Sequence, residues 1–244
     1  MSNISYVSLS QATALKRTLD MTAHNLANAN TAGYKAVHPL FESVDQSVMG
    51  QDVSFVQDRG VYLDLTGGAL VPTGNTFDIA LNGEGWFNFQ MDNGETGYSR
   101  HGRLVVDVEG QLRTTQGPAL MGAGGGPIIL PEGSRADLGI STDGVITDQN
   151  GDILGVVAVS NIEEGLHMRP IGHGMYALPE GADAPQQSEN PEVMQGFIEK
   201  SNVEAVLEMT RLIDIQRAYE NSVKLMNQDD DLTKNAIQRL GRST

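Results

Sequence analysis

Ser8-Leu9-Ser10-Gln11-Ala12-Thr13-Ala14-Leu15-Lys16-Arg17-Thr18-Leu19-Asp20-Met21-Thr22-Ala23-His24-Asn25-Leu26-Ala27-Asn28-Ala29-Asn30 is the stretch on which the fold turns. Ala12, Leu15, Leu19, Thr22, Leu26 and Ala29 alternate spacings of three and four, with one polar residue among them. That is the repeat of a helix packing along a heptad seam. Ser8 or Ser10 is placed to cap its start. Asn30-Thr31-Ala32-Gly33 stops it, because Gly33 suits the positive φ of a helix end. The same alternation returns near the other end of the chain, where Met209, Leu212, Gln216, Tyr219, Val223 and Met226 predict a second helix over 203–228. Glu208 with Arg211, Asp214 with Arg217 and Glu220 with Lys224 add helix-spaced ion pairs. Asp229-Asp230-Asp231 marks an interruption, or the cap of a last stretch carrying Leu232, Ile237 and Leu240.

Between the two helices the pattern changes. Residues 77–89, 98–108, 111–121, 127–130, 145–147 and 153–159 are short apolar or alternating runs. Turn signals such as Asp92-Asn93-Gly94, Asp143-Gly144 and Asn150-Gly151 separate them, which predicts a compact β domain. Segments 36–76 and 180–199 read as extended or irregular connectors; Pro179, Pro185 and Pro191 disfavour a long helix. The expected fold class is therefore α+β. A discontinuous, coiled-coil-like stalk of terminal helices (1–35 with 200–244) carries an inserted, mostly antiparallel all-β domain (77–179) through connectors (36–76 with 180–199).

The chain has no cysteine, which excludes a disulfide scaffold and thiolate metal sites. Its start lacks a basic stretch followed by an apolar one, so no cleaved Sec signal is expected. No run of about 18 apolar residues is present, so no membrane-inserted helix is expected either. The charge is uneven. No lysine occurs between Lys35 and Lys200, and residues 36–198 hold 22 acids against 6 arginines, within a net charge of −15. Such a middle would repel phosphates and argues against nucleic acid as a partner.

Asn25-Leu26-Ala27-Asn28-Ala29-Asn30-Thr31-Ala32-Gly33-Tyr34-Lys35 closely resembles the N-terminal signature of flagellar rod and hook proteins, the axial family. Collinear matches follow. Thr73 to Phe87, with Gly83 and Gly85, resembles the family's entry to its β domain. Tyr98-Ser99-Arg100-His101-Gly102 resembles the following strand pair, and Ser141-Thr142-Asp143-Gly144 a later turn. Gln195 to Val203, with Ser201 and Asn202, resembles the lead-in to the C-terminal helix, though Glu204-Ala205 stands where the family has Asn-Pro. Within the family, the length and the Leu19-Asp20 … Leu40-Phe41 run look like the proximal rod. A distal rod or hook protein is the alternative. The resemblance implies a structural subunit that assembles helically to transmit torque and enclose an export channel. It implies a periplasmic basal-body location. The partners it implies are copies of itself, other rod proteins, the flagellar export apparatus and, as a further candidate, the inner-membrane ring. No enzyme activity, cofactor or metal is implied. On that reading the residues that matter are the assembly seam and the signature residues Asn25, Asn28, Asn30, Gly33, Gly83, Gly85, Gly102, Ser201 and Asn202.

Other readings are weaker. Gly122-Ala123-Gly124-Gly125-Gly126 lacks the Gly-Lys-Ser/Thr ending of a phosphate loop. His101, His167 and His173 have no ligand-like spacing. Ser99, His101 and Asp107 are triad residue types without a nucleophile elbow. Asp229-Asp230-Asp231 lacks the alternating ligands of a calcium loop. A secreted β-rich binding module would account for the acidic middle, but not for seams at both ends.

Overall fold

The structure is a computed structural model that describes residues 3–48, 51–134, 138–163 and 168–240. The expected element order is found: an N-terminal helix, a mostly antiparallel β region and a C-terminal helix, an α+β arrangement. Two compact units divide the chain. One comprises the residues up to Ala27, Val37–Tyr62 and those from Val203 on. The other comprises Asn28–Ala36 and Leu63–Asn202.

The first unit holds helices α1 (Asn3–Ala27) and α2 (Ala205–Leu240) and strands β1 (Val37–Val48) and β2 (Gln51–Leu63). Ser8 and Ser10 do not cap α1, because the helix already runs one to two turns before them. Ser222 Oγ, well along α2, instead donates to Ser8 O at 3.1 Å. Ser10 Oγ accepts from Val56 N at 2.9 Å. So α1 packs on α2 and on the β1–β2 pair at once, and two stripes of the helix are covered. The alternating seam supplies one; Ala14, Thr18, Met21 and Asn25, spaced four, three and four, supply the other.

Helix α2 is longer than expected and passes unbroken through Asp229-Asp230-Asp231. Aspartate costs a helix interior only a few tenths of a kcal/mol, and Asp231 meets Lys234 one turn on at 3.9 Å. At 1.5 Å per residue its 36 residues span about 54 Å, against about 37 Å for the 25 of α1. The segment 36–76, expected to be an extended or irregular connector, opens with the two longest strands of the chain. Pro39 and the charged residues of 37–63 hid them. A proline is tolerated there because a two-stranded sheet leaves each strand one unpaired edge.

The second unit is built from short strands: β3 (Leu70–Pro72), β4 (Ile79–Leu81), β5 (Trp86–Gln90), β6 (Thr96–Ser99), β7 (Leu104–Val106), β8 (Leu112–Thr114), β9 (Ala119–Leu120), β10 (Gly139–Ile140), β11 (Val145–Thr147), β12 (Ile153–Val156), β13 (Val159–Asn161), β14 (Arg169–Gly172), β15 (Met175–Ala177), β16 (Gln186–Gln187), β17 (Val193–Gln195) and β18 (Phe197–Glu199). The main sheet runs β14-β15-β6-β5-β9-β8-β7, with β13 pairing β5 and β16. Phe87 and Phe89 of β5 lie opposite Ser99 and Gly97 of β6. They anchor a core with Ile79, Leu104, Leu112, Leu120 and Ile146, all essentially inaccessible. Strands β17 and β18 return to pair with β4 and β3.

Several expected strands are divided. The run 77–89 breaks at the turn of Gly83 and Gly85, which have φ of 96° and 114°. The run 98–108 breaks at Gly102, where a Cβ would lie 1.7 Å from Ile79 O. Residues 127–130 contribute only isolated bridges, Met121 with Pro127 and Gln111 with Ile129. Strands β14 and β15 were not expected. Pro170 stands in β14, which is free to carry it because it ends the sheet order.

Candidate functional site

Two features stand out, one in each unit. The first is the helix pair. Along α1, Ala12 and Thr22 are buried, and Leu15, Leu19 and Leu26 are half-buried. Ala29 is half-buried but lies beyond the helix end. Along α2, Leu212, Tyr219, Val223 and Met226 are half-buried, whereas Met209 is 49% exposed. Ala205, Glu208, Leu212, Ile215, Tyr219, Ser222, Met226 and Asp229 are all covered in an alternation of three and four, with Val223 beside them. Of the expected seam on α2, Leu212, Tyr219, Val223 and Met226 coincide with covered positions, and Met209 and Gln216 face water. Two of the covered residues, Glu208 and Ser222, are polar, yet both are nearly fully buried. Glu208 holds Arg211 at 2.7 Å, and Ser222 bonds α1. Other apolar residues of the helix lie outside, with Val206 78%, Leu207 44% and Ile213 49% exposed. Further along α2, Leu225, Leu232 and Ile237 are also more than half exposed.

The second feature is a buried polar knot. Lys35 is 1% exposed, and its Nζ donates to Glu199 Oε1 at 2.7 Å and to Thr66 O at 2.6 Å. Arg100 Nη1 reaches Glu199 Oε2 at 3.3 Å, and its Nη2 donates to Gly83 O at 2.6 Å. Gly68 N completes the carboxylate's shell at 2.9 Å. Burial pushes the Lys35 ammonium below its usual range, and Glu199 only partly opposes this. Burial lowers Arg100 in the same way. One carboxylate thus pairs with two desolvated cations, and Arg100 also lies 6.0 Å over the Trp86 ring.

Of the signature residues, Gly33 and Gly83 lie against this knot. Gly33 has φ 67°, and its N donates to Glu199 O at 2.8 Å; a Cβ there would meet Arg100 C at 2.2 Å. Asn202 Oδ1 accepts from Ala36 N at 2.8 Å, and its Nδ2 donates to Asp64 O at 2.9 Å. Asn28 Oδ1 accepts from Thr31 Oγ1 at 3.1 Å. Gly85 and Gly102 are buried, Ser201 is half-buried, and Gly83 and Asn30 are exposed. In the first unit, Asn25 pairs with the Val37 backbone as a strand would, donating to its O and accepting from its N, each at 2.9 Å. Sequence reasoning found the glycines and asparagines but not Lys35, Arg100 and Glu199 as a set. They are 65 and 99 positions apart, and no local pattern links them.

The remaining candidates have structural work. Ser99 Oγ donates to Gly174 O at 2.8 Å and accepts from His101 N at 3.1 Å. Asp107 takes the Gln111 amide at 2.7 Å. His101 is buried, which with nearby Arg103 lowers its pKa. His173 is exposed, and His167 lies outside the described residues. Gly122, Ala123 and Gly125 use their amides on backbone carbonyls. Among the described residues no group of three metal-binding side chains converges, and no helix is long and apolar enough to cross a membrane.

Three family models match this chain: "Flagella basal body rod protein" over residues 6–35, "Flagellar hook protein FlgE/F/G D1 domain" over 80–148, and "Flagellar basal body rod FlgEFG protein C-terminal" over 194–239. The flagellar basal-body rod protein FlgF of Caulobacter vibrioides is 35% identical over 99% of both chains, and that of Mesorhizobium japonicum 37% over 97% of both. The chain belongs to the FlgF-type flagellar basal-body rod proteins. The FlgG rod protein of Agrobacterium fabrum is similar at 29% over 90% of this chain and 92% of its own. As a FlgF-type protein the chain is a structural subunit of the basal-body rod. The knot of this rod protein draws one charge from each matched region: Lys35 from the first, Arg100 from the second and Glu199 from the third.

One alkaline titration reports on the knot. Tyr176 OH donates to Lys35 O at 3.4 Å and packs edge-on against Trp86 at 5.8 Å. Burial raises its pKa from 10.0 to about 12. The unfolded chain therefore loses this proton first. The hydroxyl's contribution is fully present below pH 10 and is lost as pH rises towards 12, about 3 kcal/mol in all. Urea melts at pH 9 and pH 11 should show a smaller fall in Tyr176→Phe than in the wild type. Equal falls would mean that Tyr176 ionises freely in the folded chain.

Proposed function

We propose that this rod subunit does its work through the terminal helices. Residues 1–35 and 200–244 act as a coiled-coil-like stalk, and the β-rich residues 77–179 act as a side domain. The stalk packs against copies of itself and neighbouring rod proteins at the proximal level of the rod, encloses the export channel and passes torque along the axis. The chain reaches the periplasm through the flagellar export apparatus and catalyses no reaction.

The observation that carries this reading is the outer face of α2. Val206, Met209 and Ile213, spaced three and four, place three apolar side chains in water on one face of the helix. Contiguous exposed apolar surface of this kind marks an interaction site. The covered seam already accounts for the α1–α2 contact, so this face is left for another chain.

A photo-crosslinking residue placed at Ile213 tests it directly. In purified basal bodies it should give adducts with rod proteins, while the same group at Val108, 85% exposed in the β-rich unit, should give few. Adducts from Val108 and none from Ile213 would overturn the assignment.

A further inference from the structure

The chain passes between its two units four times, after Ala27, Ala36, Tyr62 and Asn202. The knot lies beside these crossings. Asn202 bonds Ala36 and Asp64, so one side chain ties the second, third and fourth crossings within two residues of each. Asp64 N donates to Ala36 O at 2.8 Å, and Asn202 N donates to Tyr34 O at 3.4 Å. Lys35 and Glu199 close the same three segments a step deeper, through Thr66 and Gly68. On the other side of the boundary, Asn25 ties the first and second crossings by its paired bonds to Val37.

We propose that this buried knot is a mechanical clamp. Force that travels along the chain enters the β-rich unit through the crossing segments, and the knot bonds those segments within a few residues of where they enter. Because the segments are cross-tied, no bond can open before its neighbours, and the load is shared. Burial matters for the same reason: water cannot replace the Lys35–Glu199 contact while it is strained, and the low surrounding dielectric strengthens it. The residues act by positioning the crossing segments and touch no partner. In this view Asn25 and Asn202 have the same purpose, each within its own unit. The biological role of the clamp rests on the torque-transmitting reading above; its existence does not.

Pulling on the single full-length molecule tests it. The natural chain has no cysteine, so Lys16→Cys and Asn93→Cys, both at exposed positions, give one handle in each unit. The parent should show one high-force rupture before the β-rich unit extends. That event should be lost in Lys35→Met, and also in Asn202→Ala, which buries no unpaired charge and serves if Lys35→Met fails to fold. A core variant such as Leu112→Ala, matched by thermal melting for its loss of stability, should keep the event. Retention of the high-force event in both knot variants, or its loss in the core variant as well, would overturn the clamp. Neither result would touch the assembly reading, which the Ile213 crosslinks test separately.

Discussion

Replacing Glu199 by leucine should lower the stability of the β-rich unit by about 3–5 kcal/mol. Glu199 is 2% exposed and is the counter-ion of both Lys35 and Arg100. Leucine fills similar space but leaves two cations buried without a carboxylate, and Gly68 N loses its acceptor. For a unit of this size the midpoint of thermal unfolding should fall by roughly 10 °C. Trp86, the chain's single tryptophan, stands beside Arg100 and reports the transition by fluorescence. Glu199→Gln keeps an acceptor for Gly68 and should fall between the two. Replacing all three charged residues together by apolar ones of similar size should recover much of the loss, because the penalty lies in breaking the set rather than in lacking it. A loss below about 1 kcal/mol for Glu199→Leu would mean that water reaches the cluster.

Changing Met209 and Ile213 together to aspartate should abolish rod growth while leaving the monomer intact. Each residue is 49% exposed, and surface substitutions usually change stability by no more than about 0.5 kcal/mol. The melting of the free chain should barely move. In the assembly the same face would place carboxylates in an apolar contact without partners, at a cost of several kcal/mol per subunit, repeated at every copy. Cells making only this variant should lack hook and filament and should not swim. Exported protein must be measured alongside, since failure of export gives the same cells. Normal swimming with normal export would remove this face from the account. Leu19 and Leu26 make a poorer choice, because they are half-buried in the helix pair and their replacement would disturb the monomer as well.

The terminal helices were legible because heptad spacing survives any tertiary context. Leu212, Tyr219 and Met226 are common to the pattern and to the covered face. Glu208 and Ser222 are covered too, and a hydrophobic period cannot register them because they are polar. The Asp229-Asp230-Asp231 run reads as a break or the cap of a last stretch on its charge alone, but the helix penalty of aspartate is too weak to end α2 there. In the β-rich unit, Gly83, Gly85 and Gly102 were noticed as signature residues. That Gly102 ends a strand depends on the approach of Ile79, 23 residues away, which no local pattern carries. The knot was invisible for the same reason. Lys35, Arg100 and Glu199 are ordinary surface types in the sequence, and only the fold removes them from water together.

The central claim is that the outer face of α2 is covered by a neighbouring chain in the rod. An electron cryomicroscopy map of the intact basal body, resolved to side chains, measures this directly. The account predicts that Val206, Met209 and Ile213 lie against another rod subunit, with α1 and α2 paired through Ser8 and Ser222 as in the single chain. A rod in which this face remains bare, with subunits joined through the β-rich residues alone, would contradict it.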